Sequence, residues 1–545
     1  MLSSVRRAIV VSLVSLVVTG VAAGATIKGS SRKDTLLGSS ANDVVYGFGG
    51  NDTIVGRGGN DLLNGGAGYD DLNGGVGNDR ITAVDGGSDS VHCGAGRDVV
   101  TADLDDVVGS TCEVVTRRLS SDPYRRTGAQ RGTEVEPDSF AHDRTIVTAF
   151  QVARFFDGGA ANIGFSTSRD GGGTWVSGML PRLTVFSTPA GPLDLVSDPV
   201  VAYDRVHKTW LIAAVGAAHN DTVLTVSRSR DGVHWRAPVI AALPGQGDYD
   251  KEWITCDNWR HSRFAGRCYL SYMDFEHQGV MTRRSLDGGR TWSAQTGWTV
   301  PPAFRDGANG VQPVVRPNGT LVIPFSVFGG SGGSVNQLAA IRSLDGGATF
   351  LPATKIADLA AVDVFDLRVP PLPSVAIDGG GTIYLSWTDC RFVAECNANG
   401  IVFSKSRDGV DWTAPVRVRT GGRGWTVNHF LPGLAARGSG RHARIAIAYY
   451  SAPEPTGCNY SCNAAIDAWL SVSRDGGATW LLPQRLTSEA IRASWLADTG
   501  LGRMLGDYIS TSWVRRKAIP VFPLASPPTR GSYQEQIFAT TTLAP

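Results

Sequence analysis

Between residues 34 and 81 one branched aliphatic side chain returns every nine residues: Leu36, Val45, Ile54, Leu63, Leu72 and Ile81. Each stands two places after an aspartate, in the order Asp34, Asp43, Asp52, Asp61, Asp70 and Asp79. Glycine fills the gaps, most completely in Gly65-Gly66-Ala67-Gly68-Tyr69-Asp70 and Gly74-Gly75-Val76-Gly77-Asn78-Asp79. Glycine lets a chain turn at positive φ, and the lone apolar residue of each period points into a narrow core. A disordered Gly/Asp linker would have no reason to keep six aspartates in register with six aliphatics, so the pattern predicts an ordered coil of short strands. Beyond about residue 130 this periodicity stops. Tryptophan appears, and alternating apolar strands follow, among them Ala518 to Leu524 and Gln536 to Thr542.

Aspartate at such regular spacing supplies hard oxygen ligands of the kind calcium takes. Residues 33–113 carry 14 acidic and 4 basic side chains, a density of carboxylates that repel one another in a compact fold. Calcium binding is therefore expected to be coupled to folding here. The stretch resembles the glycine-rich nonapeptide repeats of RTX proteins. That resemblance implies a parallel β-roll over residues 26–115, with calcium held by Asp43, Asp52, Asp61, Asp70 and Asp79. The register loosens at Asp89 and Asp98, and Cys93 and Cys112 fall in this later part, where a covalent clip is expected to replace missing calcium turns.

A chain of 545 residues implies two or more domains. The N-terminus reads as a secretory signal over residues 1–25: Arg6 and Arg7, an apolar run from Ala8 to Val21, then Ala23-Gly24-Ala25. The run is short for a spanning helix, so the mature chain is expected to be secreted, with no membrane span. Eight cysteines form four local pairs: Cys93 with Cys112, Cys256 with Cys268, Cys390 with Cys396, and Cys458 with Cys462. In an exported chain these read as disulfides; a zinc site is disfavoured because CxxC knuckles and interleaved histidines are missing. Overall net charge is +1, with no basic cluster dense enough for nucleic acid.

Six copies of a second motif follow, each Ser-x-Asp-Gly ending on an aromatic residue, as in Ser168-Arg169-Asp170-Gly171-Gly172-Gly173-Thr174-Trp175. The aspartates are Asp170, Asp231, Asp287, Asp345, Asp408 and Asp475, spaced 56 to 67 residues apart, the length of one four-stranded blade with its loops. The chemistry is that of a hairpin turn, with Asp capping backbone N–H groups and Asp-Gly turning tightly. The motif resembles the Asp-box, or BNR repeat, of the sialidase superfamily. That likeness implies an all-β chain whose residues 136–545 form a sialidase-like β-propeller, the Asp-boxes remote from the ligand face. Inner strands are marked by Glu136-Pro137, Asp198-Pro199, Asp250-Lys251-Glu252-Trp253, Gln312-Pro313, Leu372-Pro373, Leu431-Pro432 and Gly506-Asp507-Tyr508-Ile509. Seven blades are favoured over six, with the missing outer strand drawn from residues 120–135 of a linker spanning 116–135.

In such a propeller the funnel is lined by the starts of the inner strands. This places Glu136, Asp198, Asp250, Glu252, Gln312, Asp507 and Tyr508 around its mouth, with loop residues Asp274, Glu276, Asp389, Arg391 and Tyr450. Arg305, Arg368 and Arg503 each precede an inner strand. Inner-strand acids in propellers also serve simply to satisfy backbone N–H groups. Sialidases need an arginine triad, an aspartate acid and a tyrosine–glutamate nucleophile pair. The candidates here are Arg305, Arg368, Arg391 and Arg503 with Asp250 and Asp507 for ligand binding, and Tyr508, Glu252 and Asp198 for catalysis. The family's Phe/Tyr-Arg-Ile-Pro motif is absent; Tyr124-Arg125-Arg126-Thr127 is the nearest stretch and does not match. The leading expectation is a monomeric, secreted calcium-binding protein whose propeller holds a glycan or an extracellular protein. An exo-acting glycoside hydrolase and a surface-assembly scaffold are the alternatives.

Overall fold

The structure is a computed structural model that describes residues 24–125, 128–301, 307–329, 335–364, 366–422, 427–453 and 463–542. The expected leader (except Gly24 and Ala25) and Arg305 lie outside the described residues. The chain is all-β. It opens with a parallel β-solenoid in which each coil takes two nonapeptides, so paired residues are 18 apart: Val45 opposite Ile27 and Leu63, Ile54 opposite Leu36 and Leu72. One face is the sheet Thr26–Lys28, Val44–Tyr46, Leu62–Asn64, Arg80–Ala83 and Val99–Ala102; the other runs from Thr35–Leu37 to Val107–Val108. The aliphatics of the nine-residue pattern meet between the faces as one buried column.

Antiparallel sheets follow in succession. Their inner strands are Glu134–His142, Leu195–Asp204, Tyr249–Cys256, Val314–Val315, Ser374–Ile377, Val427–Arg437 and Ser510–Val514. Each packs beside the next, and Ser510–Val514 packs against Glu134–His142, so they form a closed ring. That is the arrangement of a β-propeller. Four of the seven sequence markers of the inner strands coincide with β-bulges. Register slips between Val135 and Asp138, Ser197 and Val200, Asp250 and Trp253, and Phe430 and Gly433. The extra residue takes a left-handed conformation in every case: Glu136, Asp198, Lys251 and Leu431 have φ of 53°, 51°, 46° and 52°. Pro137, Pro199 and Pro432 fit the next position because a bulge leaves one residue out of the ladder and proline has no N–H to give it.

The two domains share a sheet. Val114–Arg118 pairs in parallel with Val99–Ala102 and antiparallel with Ser532–Thr542. It is thus the last strand of the solenoid face and the outer strand of the ring-closing sheet. The ring-closing strand therefore comes from upstream of the 120–135 stretch in which it was expected. The physical reason is that the open edge of the solenoid already presents N–H and C=O groups to a partner. Across the same junction Thr116 Oγ1 donates to the Leu486 carbonyl at 2.9 Å, and Asn64 Nδ2 donates to Glu489 Oε1 at 2.8 Å.

Of the four expected disulfides, three are formed: Cys93 to Cys112, Cys256 to Cys268 and Cys390 to Cys396. The fourth, Cys458 with Cys462, lies beyond the described residues, in the stretch 454–462, so this pairing rests on the sequence alone. No helix among the described residues is long and apolar enough to cross a membrane.

Candidate functional site

Apart from the half-buried Asp34, each aspartate of the nine-residue series in the solenoid is buried and repeats one hydrogen bond. Its Oδ1 accepts the backbone N–H of the residue 18 places earlier: Asp34 to Asp52 at 2.8 Å, Asp43 to Asp61 at 2.7 Å, Asp52 to Asp70 at 2.7 Å, Asp61 to Asp79 at 2.9 Å. The Oδ2 atoms of Asp52, Asp61, Asp70 and Asp79 are buried with no hydrogen-bond partner among the described residues. A Cβ at Gly47, Gly56 or Gly74 would collide with that oxygen and with a carbonyl of the next coil, which is why these turns are glycine. Orphaned carboxylate oxygens beside backbone carbonyls are a donor set for a hard cation. Burial raises the carboxyls of Asp70 and Asp79 to about 6.

The later coils keep this geometry. Asp89 and Asp98 accept the N–H groups of Asp70 and Asp79 at 2.8 Å each, and their Oδ2 atoms are likewise unpartnered. The Cys93–Cys112 clip was expected to replace missing calcium turns; it joins coils that still carry the aspartate series. Only at the end does an internal cation take over, where Arg118 Nε lies 2.7 Å from Asp103 Oδ1.

Three of the bulges bring their left-handed residues, Glu136, Asp198 and Lys251, together. Lys251 Nζ sits among three carboxylates: Asp507 Oδ2 at 2.8 Å, Glu136 Oε1 at 3.2 Å and, closer still, Asp198 Oδ1. Arg368 forks onto Asp507, with Nε to Oδ1 at 2.9 Å and Nη2 to Oδ2 at 2.5 Å. Gln151 donates to Glu136 Oε2, and Asn309 Nδ2 donates to Asp250 Oδ2 at 2.9 Å. Burial pushes Asp507 up, but Lys251 and Arg368 outweigh it and hold the carboxyl at about 2. Burial raises Glu136 to about 8, against the opposing pull of Lys251. Lys251 is held well above its ordinary value because the surrounding carboxylates overcome its burial.

Glu252 differs from its neighbours. It is buried, neither carboxylate oxygen has a partner among the described residues, and burial with Asp198 nearby holds it well above the carboxylate range. Tyr508 lies beside it, edge-on to Trp253 at 5.3 Å and under Lys251, and its hydroxyl donates to the Pro199 carbonyl at 3.1 Å.

The other residues singled out from sequence are dispersed. Arg391 is paired with Asp389 at 2.7 Å, and Arg503 with Asp366 at 3.0 Å and Asp498 at 3.5 Å. Gln312 Oε1 accepts the Val375 N–H at 2.8 Å, and Asp274 Oδ2 meets His277 Nδ1 at 2.7 Å. Tyr450 is buried with its hydroxyl on the Pro523 carbonyl at 2.6 Å, away from the axis. Sequence reasoning named both neighbours of Lys251 and passed over Lys251 itself. Its signal was present: it is the bulge residue in the one marker where a cation stands in the place held by Glu136 and Asp198.

The N-terminal part is a calcium-binding β-solenoid and the remainder has propeller topology. In keeping with this, the RTX calcium-binding nonapeptide repeat family matches residues 28–63 and 55–86. No curated protein sequence matches the chain. Among solved structures it is similar to a Hadza microbial sialidase, Hz136, at 15% identity and TM-score 0.38, covering 76% of this chain and 66% of that one, just under two thirds of its length. It is similar to a PL25 ulvan lyase at 11% identity and TM-score 0.45, covering 76% and 95%. It is also similar to the NanB sialidase of Streptococcus pneumoniae at 12% identity and TM-score 0.39, covering 78% and 70%. With TM-scores below 0.5 these likenesses carry no weight for fold or function; the propeller rests on its own sheet topology.

Proposed function

We propose that this is a secreted calcium-binding protein whose seven-bladed propeller, with Asp-box turns on one end, holds a glycan or protein ligand without cleaving it. Residues 1–25 serve as its signal peptide, 26–115 as the roll and 136–545 as the propeller. The observation that carries this reading is the Lys251 hub. The carboxylates best placed on the axis are neutralised internally by Lys251 and Arg368, Arg391 and Arg503 are each committed to their own aspartates, and the Tyr508 hydroxyl is committed to a backbone carbonyl. A catalytic centre for an anionic sugar needs arginines that converge and a nucleophile that is free.

One observation favours a second reading. Glu252 is a carboxyl kept neutral by burial beside Tyr508, the state a general acid requires. A panel of fluorogenic glycosides, sialosides included, separates the two when assayed with calcium. No turnover, together with calcium-dependent retention on immobilised glycans or extracellular proteins, is the expected result. Turnover that disappears in Glu252→Gln would overturn the binding reading and make the protein a glycosidase.

A further inference from the structure

Away from the axis, where the roll meets the propeller, lies a cavity of about 280 Å³ with two kinds of wall. Its apolar lining residues include Leu470, Val472, Leu481 and Trp513. Four arginines also line it: Arg97 from the roll, Arg444 at the start of Arg444–Pro453, Arg474 in the turn after Ala465–Ser473, and Arg516 from the hairpin after Ser510–Val514. No aspartate or glutamate lines it among the described residues. Arg97 is positioned by two contacts, its backbone N–H on Asn78 Oδ1 and its Nη2 on Gln484 Oε1, each at 2.8 Å. The side chains of Arg444, Arg474 and Arg516 enter no ion pair among the described residues, in contrast to the arginines around the axis.

Four arginines line one cavity, and no acidic side chain among the described lining residues balances their charge. An anion in their midst would be bound by charge-assisted hydrogen bonds, bidentate where the geometry allows. An inorganic anion would leave the apolar lining wet, and a neutral hydrocarbon would leave the arginines unmatched. The walls together fit a molecule with an apolar or aromatic body and one anionic head. We propose that the cavity is a binding site for an amphipathic anion of this kind, an aryl or alkyl sulfonate or carboxylate, completed by the roll through Arg97.

The test is calorimetric titration of the calcium-loaded full chain with naphthalene-2-sulfonate, alongside the uncharged naphthalene-2-sulfonamide and inorganic sulfate. The expected result is one site for the sulfonate, with the sulfonamide and sulfate each at least about tenfold weaker. The double variant Arg474→Gln/Arg516→Gln should weaken the sulfonate by about tenfold or more. The quenching of tryptophan emission that accompanies binding should shrink in Trp513→Phe. Both variants change exposed or half-buried side chains, and an unchanged melting temperature would show that they fold. Equal affinity for the sulfonamide would make the cavity merely apolar, and equal affinity for sulfate would make it merely an anion site. Sulfonate binding that is absent, or indifferent to all three substitutions, would place no site here. Each of these outcomes overturns the proposal.

Discussion

Val114 is paired on both sides: in parallel with Val99 of the solenoid and antiparallel with Thr542 of the sheet that closes the propeller. One backbone segment of five residues, Val114–Arg118, therefore belongs to two folding units. Whatever orders the solenoid also orders the outer strand of the ring-closing sheet.

Calcium should on this account stabilise the propeller and not only the roll. All 14 tryptophans lie at or beyond Trp175, so tryptophan emission reports the propeller alone. A ligand that binds only the folded state raises stability by mass action, about 2.7 kcal/mol at a hundred times Kd. The tryptophan-detected melting temperature should fall by several degrees on adding EDTA and recover with calcium. An unchanged melt would mean that the shared strand does not couple the domains.

Lys251 contacts buried carboxyl groups from three different inner strands or their approaches, Glu136, Asp198 and Asp507. Removing one partner of a buried ion cluster strands the rest, at a cost of roughly 3–5 kcal/mol. Lys251→Met should lower the urea midpoint accordingly at pH 7. Combining it with Asp198→Asn should restore part of the loss, because one uncompensated charge goes with it. Additive losses in the double variant would show that the two residues do not act together.

Glu252 gives an alkaline signature. Its folded-state pKa is raised by burial, so its contribution to stability is complete below the unfolded value of about 4.5 and is lost as pH rises through the folded value. Glu252→Gln, which mimics the neutral carboxyl, should match the parent near pH 4 and become the more stable protein as pH increases. Parallel stability curves from pH 4 to 9 would contradict this.

The Ser-x-Asp-Gly turns give the opposite sign. Asp475 Oδ1 accepts the Ser473 hydroxyl at 2.7 Å and the Thr479 N–H at 2.9 Å, and these bonds, outweighing desolvation, lower its carboxyl to about 2. A depressed carboxylate contributes stability above its unfolded value, near 4, and loses it as pH falls towards 2. Asp475→Asn should be less stable than the parent at pH 6, with the gap closing between pH 4 and 2. A gap that stays constant with pH would assign the effect to shape and not to charge.

Much of this architecture is legible in the residues because its repeats are local. A nine-residue period dictates a coil of two nonapeptides, since only that spacing stacks Leu36, Ile54 and Leu72 in one column and Val45, Leu63 and Ile81 in the facing one. The Ser-x-Asp-Gly turns satisfy their own backbone N–H groups within a few residues, so each announces a hairpin without outside help. X-Pro steps such as Glu136-Pro137 mark bulges for the same reason.

The site was less legible. Which bulge residues face one another depends on how the inner strands are arranged round the ring, and Glu136 meets Lys251 across 115 positions of chain. The arginines look alike in the sequence, yet Arg368 forks onto an axial aspartate while Arg391 pairs with a carboxylate two residues away.

The sequence by itself determined the two kinds of repeat, their spacing and the calcium chemistry of the first, because those follow from residues that interact within one coil or one turn. Only the tertiary structure decided that Val114–Arg118 joins both domains, that Lys251 sits among carboxyls from separate strands, and that Arg97 and Arg516 line one cavity. Those relationships depend on ring closure and on burial, which bring together groups hundreds of residues apart and set their charges against one another in a medium that water does not screen.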